Sequence, residues 1–207
     1  MNIEIIYEDA QIIVVNKPSN LLTIANLKNK TDNLYHYLSL YVKQKNKMNK
    51  VFIVHRLDFQ TSGLIVFAKS FKVKEELQKL FETGQVIRKY QAITTNKPPK
   101  ETDVLINYLV IDKFGNVFNS TKNHPNAKKA ITKYKFIKKV KEGYLLDIEI
   151  ITGRKNQIRI ALANINCPIV NDSKYSKQKG KRMYLRSYLL DITKFNKDYL
   201  FKINGFY

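Results

Sequence analysis

Cysteine is nearly absent. Cys167 is the one cysteine in 207 residues, so no disulfide can form within the chain and a cysteine-rich zinc site is excluded. Histidine is almost as scarce: His36, His55 and His124 lie far apart and lack metal-ligand spacing. No apolar run approaches the roughly 18 residues of a membrane-spanning helix. The opening MNIEIIYEDA has no basic start and no signal-like apolar core, and it carries three acids within nine residues. That pattern differs from secretory and transit peptides, and the expected location is the cytoplasm.

Acidic residues are also few. Seventeen Asp and Glu face 37 Lys and Arg, a formal net charge of +20. Such an excess favours a polyanionic partner, nucleic acid first and an anionic membrane surface second. An AT-rich genome that writes Lys wherever a surface tolerates it would produce the same excess, so charge alone does not settle function. Hydrophobic residues make up 44%, which suits a globular protein. The length suits one sizeable core, with no sign of a second domain.

Residues 12–22, IIVVNKPSNLL, are predicted to be a buried strand ending in a turn. Pro18 fixes its own φ there, and Asn20 tolerates φ > 0. A helix is predicted over 34–42 with Leu34, Leu38 and Tyr41 on one face. Another covers 71–85, with Leu77, Leu80 and Phe81 as its stripe and Gly84 as its stop. A third follows TGRKNQIR, with Ile158, Leu162 and Ile165 inward. Strands are predicted at 89–95, in a hairpin around DKFG (112–115), along the alternating 128–140, at 144–151 and in the tail from 184. The lysine-rich stretches 43–50 and 171–183 read as loops, and NKPPK (96–100) as a break. Many strands and about three helices in mixed order mark an α+β protein built on a sheet.

The stretch VFIVHRLDFQTSGLIVFAKS (51–70) is unusual. Two apolar runs read as strands, and His55, Arg56, Asp58, Gln60, Thr61 and Ser62 lie between them. Asp58, flanked by Leu57 and Phe59, is expected to be partly buried, and a buried carboxylate is costly unless paired. Arg56 shares its face only if the strand persists. Arg154 and Arg159 are the other cations on offer. A structural salt bridge would explain Asp58 taken alone, and a core aromatic would explain Tyr90, one of 13 tyrosines.

Four blocks stand in order: NKPSNLLT, HRLDFQTSGLIVFAK, RKYQAIT and TGRKNQIRIALANINCPIVND. Together they resemble the RluA-type family of pseudouridine synthases, whose pattern runs NKPxGL, HRLDxxTSGLLxxAK, KxYxA and TGRxHQIRxHLAxxGxPIxGD. The resemblance covers roughly residues 8–176, and its HRLDxxTSG block is highly specific. It implies that family's fold: a mixed, largely antiparallel β-sheet flanked by helices. A single catalytic domain over 1–207 is expected, with no appended N-terminal RNA-binding domain.

The resemblance also implies an activity, the isomerisation of uridine in ribosomal or transfer RNA to pseudouridine, with no metal or organic cofactor. Asp58 matches the family's catalytic aspartate. It would attack the sugar anomeric carbon or assist glycal formation, and the sequence leaves both routes open. Tyr90 matches a tyrosine that stacks on the flipped uracil and helps remove its C5 proton. Arg159 matches the arginine that pairs with the aspartate and keeps it ionised. Arg56 matches an arginine implicated in displacing the target base. His55 is read as positional, and Thr61, Ser62 and Gly63 as shaping the turn. Arg154 is read as a phosphate or loop-anchoring contact, and Gln157 is grouped with the substrate-binding residues.

Several positions depart from the pattern. Asn20 replaces a Gly, Asn156 and Ala161 replace histidines, Asn171 replaces the Gly of GD, and LRS (185–187), with Arg186, stands where LHA is usual. The expected partner is RNA, gripped by lysine loops at 43–50, 122–129 and 174–182. No membrane association is expected, and a monomer is the default. Two other readings stand beside this one: a non-catalytic RNA-binding or chaperone protein on the same fold, and a glycosylase that releases the base.

Overall fold

The structure is a computed structural model that describes residues 3–26 and 30–207. In chain order its elements are β1 (Glu4–Glu8), β2 (Ile12–Lys17), α1 (Leu34–Lys45), β3 (Phe52–Ile53), β4 (Ser62–Ala68), α2 (Phe71–Glu82), β5 (Ile87–Thr94), β6 (Thr102–Ile111), β7 (Val117–Ser120), β8 (Lys128–Val140), β9 (Gly143–Ile150), α3 (Gln157–Asn164), β10 (Leu185–Asp191) and β11 (Leu200–Lys202). The chain divides into two compact units. The first runs to Val86 and takes back Arg186–Gly205, and the second is Ile87–Leu185. No helix among the described residues is long and apolar enough to cross a membrane.

In the first unit β4 is the central strand. It is antiparallel to β2 along its length and parallel to β10 at Ser62 and Gly63, and β3 pairs its far end. Every residue of β4 is buried, which is why SGLIVFA is an unbroken small and apolar run rather than an alternating one. Leu64, Val66 and Ala68 share one core with Ile12, Val14 and the α2 residues Val73 and Leu77. Helix α2 starts where predicted: the Ser70 hydroxyl accepts from Val73 N–H at 3.2 Å, an N-cap. Leu80 and Phe81 pack against the same core.

Two expectations in this unit need correcting. Helix α1 continues to Lys45, into the stretch read as loop, and buries Leu34, Leu38 and Val42. Lysine is a good helix former and suits the negative C-terminal end of a helix. Tyr41 is only partly buried and donates its hydroxyl to Glu8 at 2.9 Å. The first apolar run of the 51–70 stretch gives just the two-residue β3.

The second unit is an antiparallel sheet in the order β5-β9-β8-β6-β7. The hairpin around DKFG forms as predicted. Asp112 closes it by accepting from the N–H groups of Phe114 and Asn116 at 2.9 and 2.8 Å. Along β9, Leu146, Ile148 and Ile150 are buried while Asp147 and Glu149 are half-buried, the alternation expected of a strand with one face inward. Helix α3 differs from its predicted stripe. Its first six residues, Gln157 to Leu162, are all buried, and Ile165 falls just beyond its end. Its polar residues therefore need internal partners.

Candidate active site

The residues predicted to matter fall into both units: His55, Arg56, Asp58, Thr61 and Ser62 in the first, Tyr90, Arg154, Gln157 and Arg159 in the second. Each group is described in its own unit.

Because β3 ends at Ile53 and β4 begins at Ser62, Asp58 sits outside regular structure. Its carbonyl accepts from Thr61 N–H at 3.1 Å, closing a turn with Asp in the first position, where Asp is favoured. Asp58 is half-buried and Arg56 exposed. The alternation that would have aligned them does not persist. His55 Nε2 accepts from Val66 N–H at 3.2 Å, and its ring stacks on Phe81 with centroids 4.5 Å apart. Thr61 and Ser62 are buried.

Sequence reasoning missed what grips this turn. Lys17 is 0% exposed. Its ammonium donates to the carbonyls of Pro18, Leu21 and Phe59 at 2.9, 2.8 and 3.2 Å. Burial pushes its pKa down to about 7, against the opposing pull of the Asp58 charge. Ser19 donates to the Gln60 carbonyl at 2.7 Å. Thr23 Oγ1 accepts from Leu57 N–H at 3.2 Å and donates to the Leu57 carbonyl at 2.8 Å. The available signal was the NKP block itself, whose lysine had no assigned task.

In the second unit Tyr90 lies on β5, opposite Ile148, and is almost fully buried. Arg88, two residues earlier, points to the same buried face. It was also missed, although it occupies the basic position of the KxY block. Burial pushes its pKa down and Tyr90 opposes that, while one Nη donates to the Ile151 carbonyl at 3.3 Å. A Cβ on Gly153 would lie 2.8 Å from its other Nη, so the glycine of TGR makes room for Arg88.

Gln157 is fully engaged inside the protein. Its Oε1 accepts from the Thr152 hydroxyl at 2.7 Å and Arg154 N–H at 3.0 Å, and its Nε2 donates to Ile131 O and Thr132 Oγ1 at 3.0 and 3.1 Å. It holds the TGR turn against β8. Arg154 Nε donates to the Lys129 carbonyl at 3.3 Å, an anchor for the same turn.

Arg159 is buried and forks onto Asp172. Nε donates to Oδ2 at 2.8 Å and Nη2 to Oδ1 at 2.7 Å. Asn156 Oδ1 accepts from Nη1 at 3.0 Å, and the Tyr175 ring lies 5.2 Å from the guanidinium carbon. Burial pushes the Asp172 carboxyl up, but Arg159 and the N–H groups of Lys174 and Tyr175 outweigh it, and the net shift is downward. Asn156, which replaces a pattern histidine, also donates to the Tyr175 hydroxyl at 3.3 Å, so both ends of its amide are used. Among the described residues no three His, Cys, Asp or Glu side chains are grouped to hold a metal ion.

Comparison with known proteins shows the family. Residues 11–164 match the family model described as RNA pseudouridylate synthase. A ribosomal large subunit pseudouridine synthase C of Rickettsia typhi is 33% identical over 88% of this chain and 61% of its own length. A synthase D of Buchnera aphidicola is 31% identical over 88% of this chain and 57% of its own. The chain thus spans about three fifths of the length of these relatives. The solved structure of human RNA pseudouridylate synthase domain containing 4 superposes with a TM-score of 0.82 at 25% identity, covering 98% of this chain and 88% of that one. The human domain containing 1 protein shares the fold, with a TM-score of 0.74 at 18% identity. The chain belongs to the RNA pseudouridylate synthase family, in the RluA-type group that its four sequence blocks resemble.

Proposed function

We propose that the protein isomerises uridine to pseudouridine in RNA, with ribosomal RNA of the large subunit as the substrate its relatives' names favour. One observation carries the proposal: Asp58 of the HRLD block stands half-buried on a turn beside a buried cation, Lys17. A carboxylate placed in this way suits attack on the sugar C1′ or assistance to glycal formation. The C1′–N1 bond breaks, the uracil turns, C1′ bonds to C5, and the C5 hydrogen leaves to water while N1 gains a proton. Tyr90 stacks on the uracil and assists that proton's departure. Arg159 gives three N–H groups to Asp172 and Asn156. The resemblance gives it the role of pairing with the catalytic aspartate. Arg56 displaces the target base. Thr61 and Ser62 shape the turn, and Gln157 and Arg154 hold the TGR turn.

The same reading makes the chain a single catalytic domain, cytoplasmic, monomeric and independent of metal. The lysines of 43–50, 122–129 and 174–182, nearly all exposed, contact phosphates. The test is tritium release from unmodified RNA labelled at uracil C5. Wild type should release tritium and Asp58→Ala should not. If Asp58→Ala matched wild type, the proposal would fail. RNA binding with no release from either protein would identify a binding protein on this fold instead.

A further inference from the structure

We propose that Lys17, Ser19 and Thr23 form a cradle of positioning residues that fixes the backbone on both sides of Asp58 for the reaction. The proposal rests on the enzymatic reading above. Residues 57–60 lie outside the strands, because β3 has ended and β4 has not begun. A segment outside the sheet must satisfy its main chain elsewhere, and if it does not it is free to move. Here side chains from 17–23 do that work. Thr23 takes both the N–H and the carbonyl of Leu57, Lys17 takes the Phe59 carbonyl and Ser19 the Gln60 carbonyl. The remaining carbonyl, that of Asp58, closes the turn with Thr61.

Packing alone does not account for these residues. Burying an ammonium is costly, and an apolar side chain would fill the same space. Among the described residues the Lys17 ammonium donates to three main-chain carbonyls, one of which belongs to the residue after Asp58. The cradle is itself anchored at both ends. Lys17 is the last residue of β2, paired with Gly63. Leu22 and Thr23 accept from the N–H groups of Leu34 and Tyr35 at the start of α1, at 2.8 and 3.1 Å. A displacement of about 1 Å at a reacting group is enough to cost a large factor in rate, so loosening the cradle should slow turnover without weakening RNA binding. The Lys17 charge adds a second effect, since the cation favours the ionised form of Asp58.

Three variants test the cradle. Thr23→Val keeps the shape and removes the hydroxyl, Thr23→Ser keeps the hydroxyl, and Lys17→Met removes the charge. The readouts are kcat and KM from tritium release, and titration of a 13C-labelled Asp58 carboxyl. Thr23→Val should lose about tenfold in kcat with KM within about twofold of wild type, and Thr23→Ser should restore the rate. Lys17→Met should raise the Asp58 titration midpoint. With an active wild type the kcat pattern decides. A Thr23→Val enzyme as fast as wild type, a defect confined to KM, or a Thr23→Ser enzyme as slow as Thr23→Val would overturn the cradle. If wild type itself releases no tritium, the enzymatic reading fails and the titration decides. A shift in Lys17→Met then upholds the cradle, and an unmoved midpoint overturns it.

Discussion

Replacing Asp172 by Asn tests the account of Arg159 most directly. The Asp172 carboxylate is 0% exposed and receives four N–H groups: two from Arg159 at 2.8 and 2.7 Å, and those of Lys174 and Tyr175 at 2.9 and 3.1 Å. Asn has the same size but no charge, and its amide turns an N–H toward a donor wherever it is placed. Breaking a buried pair by neutralising one partner costs about 3–5 kcal/mol, because the other charge stays buried. With a urea m-value of about 2 kcal/mol/M, that moves the unfolding midpoint down by roughly 2 M. The assay is urea unfolding followed by circular dichroism at pH 7, with amide exchange at Lys174 and Tyr175 locating the damage. The pH dependence has a definite sign. The folded Asp172 pKa lies below its ordinary value, so its contribution is fully present above the unfolded carboxyl value of about 3.9. It is lost as pH falls through the folded pKa, and in Asp172→Asn that loss should vanish. A variant within about 1 kcal/mol of wild type would refute the buried-pair account.

Three further outcomes follow from other contacts. Gly63→Ala should fail to fold or lose more than about 3 kcal/mol in a thermal melt, because its φ is +112° and the new Cβ would sit 2.0 Å from the Ser187 carbonyl oxygen; an unchanged melting temperature would refute that contact. Lys17 falls from 10.5 to about 7 in the folded state, so between those values the unfolded chain binds more protons and stability should rise with pH; melts of Lys17→Met should be flatter over that range, and identical profiles would count against a buried lysine. Replacing Lys177, Lys179 and Lys181 with Ala should reduce the salt slope of RNA binding by about two to three, measured by filter binding; an unchanged slope would remove this loop from the interface.

The sheet was legible wherever one residue's environment dictated its type. The buried run 62–68 and the alternation of 144–150 announced β4 and β9. β1 was not foreseen, since EIIYE is an edge strand with no clean alternation of burial. The end of α1 was misplaced because lysines serve equally well in a last helical turn and in a loop. In the site, residue types were legible but partnerships were not. Thr23 and Leu57 are 34 residues apart, and Lys17 and Phe59 are 42 apart. Periodicity carries no information at such separations. The Arg159–Asp172 fork spans 13 residues through a helix end and a turn; the sequence offered Arg159 to Asp58 and left Asp172 as one member of a block.

The departures from the family pattern that place asparagine share a physical feature, and it bears on whether they signal lost function. Three pattern glycines are asparagine here, Asn20, Asn166 and Asn171, with φ of 61°, 58° and 61°. All three lie in the left-handed helical region, which Asn visits more readily than other residues with a Cβ. Asn156, in place of a histidine, adopts φ 55° and spends its amide on Arg159 and Tyr175. Two other pattern glycines remain. At Gly63 φ is +112°, outside that region, and the Ser187 backbone lies where a side chain would start. At Gly153 the buried Arg88 guanidinium takes the space. The chain has therefore replaced glycine at three positions where a left-handed backbone angle was required and kept it at Gly63, where neighbouring backbone leaves no room for a Cβ. That is how a sequence drifts while its geometry is held, so these four asparagines are not grounds for reading the protein as an inactive relative.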